Sequence, residues 1–130
     1  MSGSESKRAI HTDAAPAAVG PYSQAVRVGD QVFCSGQIPL DPATGELVVG
    51  GFAAQARCVF ANLEAVLAGT GLGFQHVVKV TIYLTDLGDF AELNEIYAGV
   101  FSEPYPARAT VGVASLPKGA RVEMDLVAVG

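Results

Sequence analysis

The side chains best suited to chemistry stand in the last two apolar runs of the sequence. Arg108 lies in the run from Ala107 to Val113, and Glu123 in the run from Arg121 to Val129. A guanidinium offers a planar fork of donors that matches a carboxylate. A carboxylate beside it can take a proton from water or hold that water in place. Together the two could bind a small acid and hydrate it. As a structural ion pair the same residues would instead brace an interface. Asn94 is the next candidate. On a helix turning about 100° per residue it lies about 40° from Phe90 and about 20° from Phe101, inside an apolar arc. A buried amide there needs a partner, either a neighbouring loop or a ligand. Tyr22 follows Gly20-Pro21, and a phenol can bridge an apolar wall and a polar site. Ser35-Gly36 ends an apolar run, where glycine admits a ligand close to the backbone or simply a bend.

The remaining reactive side chains point elsewhere. Cys34 and Cys58 sit among apolar neighbours, as packed and reduced thiols do. Neither they nor His11 and His76 have the spacing of a zinc site, so no metal is expected. No nucleophile elbow or phosphate-cradling glycine loop occurs.

The 130 residues suit one domain with one core, and 50% hydrophobic against 16% charged residues excludes a disordered chain. The net charge is −5, and the eight basic residues are scattered, so a nucleic-acid partner is not expected. No apolar run approaches the roughly 18 to 20 residues that span a bilayer. Residues 1–9 read as a flexible polar leader and residues 10–130 as a single domain, with neither secretion signal nor anchor and a cytoplasmic location.

Seven elements must position the candidates. Ala25 to Val28 and Gln31 to Gln37 read as a hairpin about Gly29-Asp30. Phe52 to Ala68 carries apolar residues at three- and four-residue intervals, a helix that Gly69-Thr70-Gly71 can end. Val77 to Leu84 is a strand by its β-branched and aromatic content. Asp89 with Glu92 has the form of a capping box ahead of a second helix, striped by Phe90, Leu93, Tyr97, Val100 and Phe101 and stopped by Pro104 and Pro106. Strands Ala107 to Val113 and Arg121 to Val129 follow, joined by a turn at Leu116 to Gly119.

The order β-β-α-β-α-β-β predicts an α+β fold, a mixed sheet with both helices on one face. The other face then needs cover, with a partner subunit as its source. Strict alternation turns Ala109, Val111 and Val113 toward the helices and leaves Arg108 and Thr110 on the open face with Glu123.

Five segments in order also resemble the Rid family, known too as the YjgF or L-PSP type. They are Ala15 to Ala25 (APAAVGPYSQA), Ser35 to Pro39 (SGQIP), Leu93 to Tyr97 (LNEIY), Tyr105 to Val111 (YPARATV) and Leu116 to Asp125 (LPKGARVEMD). The resemblance spans Ala15 to Val129. It implies a chorismate-mutase-like subunit assembled as a homotrimer, with sites between subunits. It also implies cofactor-free hydrolysis of 2-aminoacrylate, 2-iminopropanoate and 2-iminobutanoate to a 2-keto acid and ammonia. Such intermediates leak from pyridoxal-phosphate enzymes. By position, the resemblance makes Arg108 the carboxylate clamp and Glu123 the residue that holds or activates water. Tyr22, Ser35, Gly36 and Asn94 become substrate-binding positions. Thr110 stands where many relatives have cysteine, which argues against an essential thiol, while its backbone N–H can still meet the carboxylate. The same residues leave three alternatives: a module that binds 2-keto acids without turnover, needing Arg108 but not Glu123, a ribonuclease or translation inhibitor, which the acidic balance weighs against, and a chaperone-like interaction protein.

Overall fold

A computed structural model describes residues 6–130. Six strands form one sheet: β1 (Arg8–Ile10), β2 (Ala25–Val28), β3 (Gln31–Gln37), β4 (Val77–Leu84), β5 (Ala107–Gly112) and β6 (Val122–Val129). Their spatial order is β1-β2-β3-β6-β4-β5. All neighbours are antiparallel except β4 and β5, which run parallel. Two helices, α1 (Phe52–Ala68) and α2 (Phe90–Val100), complete the mixed α+β fold.

The sheet forms because alternate residues meet the helices. Val32 and Cys34 of β3, Val80, Ile82 and Leu84 of β4, and Val122, Met124, Leu126 and Ala128 of β6 are all buried. They pack against the α1 stripe of Phe52, Ala56, Val59, Phe60, Leu63, Val66 and Leu67, and against Leu93, Ile96 and Tyr97 of α2. Burying one such aliphatic side chain contributes about 1.5–3 kcal/mol, so this single layer dominates the stability. The opposite face keeps Phe33 and Val111 exposed. That is the face expected to lack cover.

Several details differ from the sequence reading. Arg8 and Ala9, assigned there to a leader, belong to β1 and pair with Arg27 and Val26. The leader's first five residues lie outside the described ones. A three-residue strand carries too little periodicity to register in sequence. Asp89 makes no capping hydrogen bond at α2. Its carboxylate instead receives two hydrogen bonds from the Arg121 guanidinium, at 2.8 and 2.9 Å. The cap in this region is Asp86, which accepts from the Gly88 N–H at the start of a 3-10 turn, Leu87–Asp89. A charged partner across the chain outcompetes the local cap.

The largest correction concerns β5. In register, Arg108 pairs with Val80, Thr110 with Ile82 and Gly112 with Leu84. Laterally paired residues share a face, and those β4 residues face the helices. Arg108 and Thr110 therefore lie on the helix side, while Ala109 and Val111 lie on the open side. Glu123 pairs with Tyr83 and Asp125 with Thr81 on that open side. Arg108 and Glu123 occupy opposite faces, not one. The apolar residues of β5 lie on the uncovered face because this is an edge strand, where the helical layer ends.

Candidate functional site

At the helix side of the β5 edge, the Arg108 guanidinium lies over two rings of α2. Its central carbon is 4.8 Å from the Tyr97 ring centroid and 5.5 Å from that of Phe90. Residues 90, 94 and 97 recur at helical spacing, which brings Asn94 onto the same arc. Arg108, Asn94, Tyr97, Tyr105 and Pro106 line a hollow of about 260 Å³. Among the described residues, Arg108 forms no salt bridge and Asn94 no side-chain hydrogen bond. The neighbouring-loop role open to Asn94 is thus not what the fold uses. The hydroxyls of Tyr97 and of Thr110, two residues along β5, are buried with no hydrogen-bond partner among the described residues. Burial raises the Tyr97 phenol above its ordinary pKa, with Arg108 opposing in part, so the phenol stays neutral. A free guanidinium on an aromatic surface is suited to a small carboxylate.

Glu123, Tyr22 and Gly36 gather in a separate cleft of about 670 Å³, walled by Ile38, Leu40 and Lys118. Gly36 explains how the carboxylate reaches the strand. A Cβ there would stand 2.9 Å from Glu123 Cδ and closer still to Oε2. The register of β3 against β6 also shifts between Cys34 and Gln37. What approaches the glycine backbone is therefore a side chain of this chain. Burial first, and Asp125 second, push the Glu123 carboxyl above the usual carboxylate range. Asp125 in turn accepts a hydrogen bond from the Tyr83 phenol at 2.9 Å. Half-exposed Tyr22 accepts from the Val19 N–H at 3.4 Å. Ser35 is occupied: its hydroxyl donates to the Ser23 carbonyl at 2.6 Å and its N–H to Gln24.

The predicted site residues thus fall into two groups. Arg108, Asn94 and Thr110 lie together at one edge, and Glu123, Tyr22 and Gly36 lie together in the cleft, with Ser35 supporting the strand beside it. Sequence reasoning missed Tyr97 and Phe90, which read as core stripe, and Lys118. The signal for the first two was their helical spacing around a lone polar Asn94. For Lys118 the sequence offered only the turn at Leu116 to Gly119, and its left-handed backbone, φ 59°, emerges from the structure.

The thiols and imidazoles stand aside. Burial, then Asp125, pushes the Cys34 thiol up to about 12, and burial raises that of Cys58. His11 contacts Asp13 at the surface, and His76 Nδ1 accepts from the Gly73 N–H. Among the described residues no cluster of three or more His, Cys, Asp or Glu could hold a metal, and no helix is long and apolar enough to cross a membrane.

Fold and site define a small α+β protein with an unpaired guanidinium at one sheet edge and a carboxylate cleft on the other face. The family profile described as Endoribonuclease L-PSP matches residues 12–130. Protein DfrA of Myxococcus xanthus is 60% identical over 125 residues, covering 95% of each chain. The 2-iminobutanoate/2-iminopropanoate deaminase of Homo sapiens is 47% identical over 123 residues, covering 95% of this chain and 90% of its own. The crystal structure of RidA from the Antarctic bacterium Psychrobacter sp. PAMC 21119 superposes with a TM-score of 0.91 at 53% identity, covering 95% of this chain and 99% of that one. The chain belongs to the Rid, or L-PSP, family.

Proposed function

We propose that this chain hydrolyses 2-imino acids and their enamine tautomers, among them 2-aminoacrylate, 2-iminopropanoate and 2-iminobutanoate, to a 2-keto acid and ammonia in the cytoplasm. The observation that carries this reading is Arg108, a half-buried guanidinium held on two rings with no anion to satisfy it among the described residues. A substrate carboxylate supplies the missing charge. Asn94 and the Thr110 backbone complete its surroundings. The deaminase name of the human relative fits the same chemistry.

The site is completed by a second copy. Because Arg108 and Glu123 lie on opposite faces, one chain does not bring both to a three-carbon molecule. A neighbour that lays its β5 edge against the open face would set its Arg108 opposite this chain's Glu123, Tyr22 and Gly36. It would also cover Phe33 and Val111, which a lone chain leaves in water. A homotrimer closes such a head-to-tail contact into a ring.

An iminium carbon is already electrophilic, so the chemistry asks for no cofactor. Arg108 fixes the substrate, an orientation effect. Glu123 accepts a proton from the attacking water as the C–O bond forms and the C=N pair moves to nitrogen. Protonated Glu123 then returns its proton to the amine, the C–N bond breaks to release ammonia, and the hydroxyl loses its proton to water as the keto group forms.

The test supplies threonine to a threonine dehydratase and times keto-acid appearance with and without this protein. Acceleration by the wild type and its loss in Arg108→Ala supports the proposal. Pyruvate binding without acceleration indicates a binding module, and RNA cleavage that survives Arg108→Ala indicates a nuclease.

A further inference from the structure

Tyr97 is unusual among the buried residues. It is 6% exposed, yet its hydroxyl has no partner among the described residues. Buried polar atoms are normally satisfied, so the hydroxyl does not account for the position. The ring does. One side packs into an aromatic cluster, with Phe101 at 4.6 Å and Phe60 at 6.2 Å between centroids. The Arg108 guanidinium lies over the ring at 4.8 Å. Phe90, 39% exposed and two turns earlier, supplies a second surface at 5.5 Å. An arginine otherwise keeps wide rotamer freedom, which binding must remove. Here that freedom is restricted by the Tyr97 ring, which is anchored in the core, and by the more exposed Phe90 ring beside it.

We infer that Tyr97 is a positioning residue, whose ring, with Phe90, holds Arg108 in the orientation that receives a substrate carboxylate. This deepens the proposed function and rests on it. The ring face attracts the guanidinium through its quadrupole without neutralising it, as an acidic partner would. The cation is thus fixed in direction and left free to bind an anion. An aliphatic side chain of similar bulk fills the space but supplies no such attraction.

Three variants test this: Tyr97→Leu, Tyr97→Phe and Phe90→Leu, each measured for pyruvate affinity, for turnover and for the NMR shift of the Arg108 δ-methylene. Tyr97→Leu is expected to weaken pyruvate binding roughly tenfold, within the range of one desolvated cation–ring contact, and to raise KM more than it lowers kcat. The upfield ring-current shift of Arg108 should shrink with it. Tyr97→Phe should restore affinity and shift alike. Phe90→Leu, on the solvent side of the helix, should act in the same direction by a few-fold and keeps the test open should Tyr97→Leu unfold. In an Arg108→Ala background, neither leucine variant should weaken pyruvate further. Unchanged affinity in both leucine variants overturns the inference, as does a Tyr97→Phe defect equal to that of Tyr97→Leu. Absence of imine turnover in the wild type would instead overturn the functional reading, with pyruvate affinity and the methylene shift still deciding the role of Tyr97.

Discussion

Replacing Gly36 with alanine should lower activity without lowering stability. The added Cβ would stand 2.9 Å from Glu123 Cδ and 3.3 Å from Cγ. Carbon atoms attract one another only from roughly 3.5 Å outward, so the carboxylate carbon must retreat by about 0.6 Å. Misplacing a reacting group by 1 Å can cost about 100-fold, so we expect kcat to fall roughly 10- to 20-fold. The backbone of Gly36 is not in the left-handed region, and alanine in a compatible conformation stabilises a chain by about 0.4–1 kcal/mol through its unfolded state. The urea midpoint should therefore stay level or rise while turnover drops. Keto-acid release by Gly36→Ala, Glu123→Gln and the double variant provides the assay. The two substitutions act on one group, so their effects should not add. An undiminished kcat in Gly36→Ala, or full additivity in the double variant, would refute the reasoning.

Other outcomes follow from the same geometry. Arg108→Lys keeps the charge but loses the fork. A charged hydrogen bond contributes about 1.5–3 kcal/mol, so kcat/KM should fall by about 10- to 150-fold, read from substrate titrations. Because burial and Asp125 raise the Glu123 pKa, the acid limb of kcat/KM should sit above the ordinary carboxylate value of 4.5 and disappear in Glu123→Gln. The same shift has a definite sign for stability. The folded state holds that proton more tightly than the unfolded chain, so Glu123's contribution is present below the unfolded pKa. It is lost as pH rises through the folded one, and urea titrations across that window should show a steeper decline in the wild type than in Glu123→Gln. Thr110→Val removes a buried hydroxyl that has no partner and should raise unfolding stability by about 1 kcal/mol, measured by urea denaturation.

Element types were legible because each has a strong local cause. The α1 stripe repeats over 17 residues, and β4 and β6 concentrate branched and apolar side chains over eight residues apiece. Local pattern was weaker wherever distant residues decide. Asp89 reads as a cap until Arg121 arrives from the far end of the sequence. Gly36 reads as an ordinary bend until Glu123, brought alongside by β6, occupies the space a side chain would need.

The strand that carries Arg108 shows why a site can be legible in its residues and illegible in its arrangement. In a central strand, the apolar alternation points to the core, because both neighbours and the helical layer cover one side. β5 has a neighbour only in β4, and its helix side ends at the rings of Tyr97 and Phe90. Its valine at 111 is exposed on the opposite side. Alternation in such a strand reports where apolar cover is needed, and for β5 that is the face without helices. Placing Arg108 by the core rule therefore sets it on the wrong side, while parallel pairing with Val80 sets it beside α2. The same edge geometry leaves the guanidinium half-buried and, among the described residues, without an anion. A fully interior position would impose a desolvation penalty that demands an ion partner, and a fully solvated one would give a carboxylate little to gain. The edge of the sheet, roofed by two rings, lies between those limits.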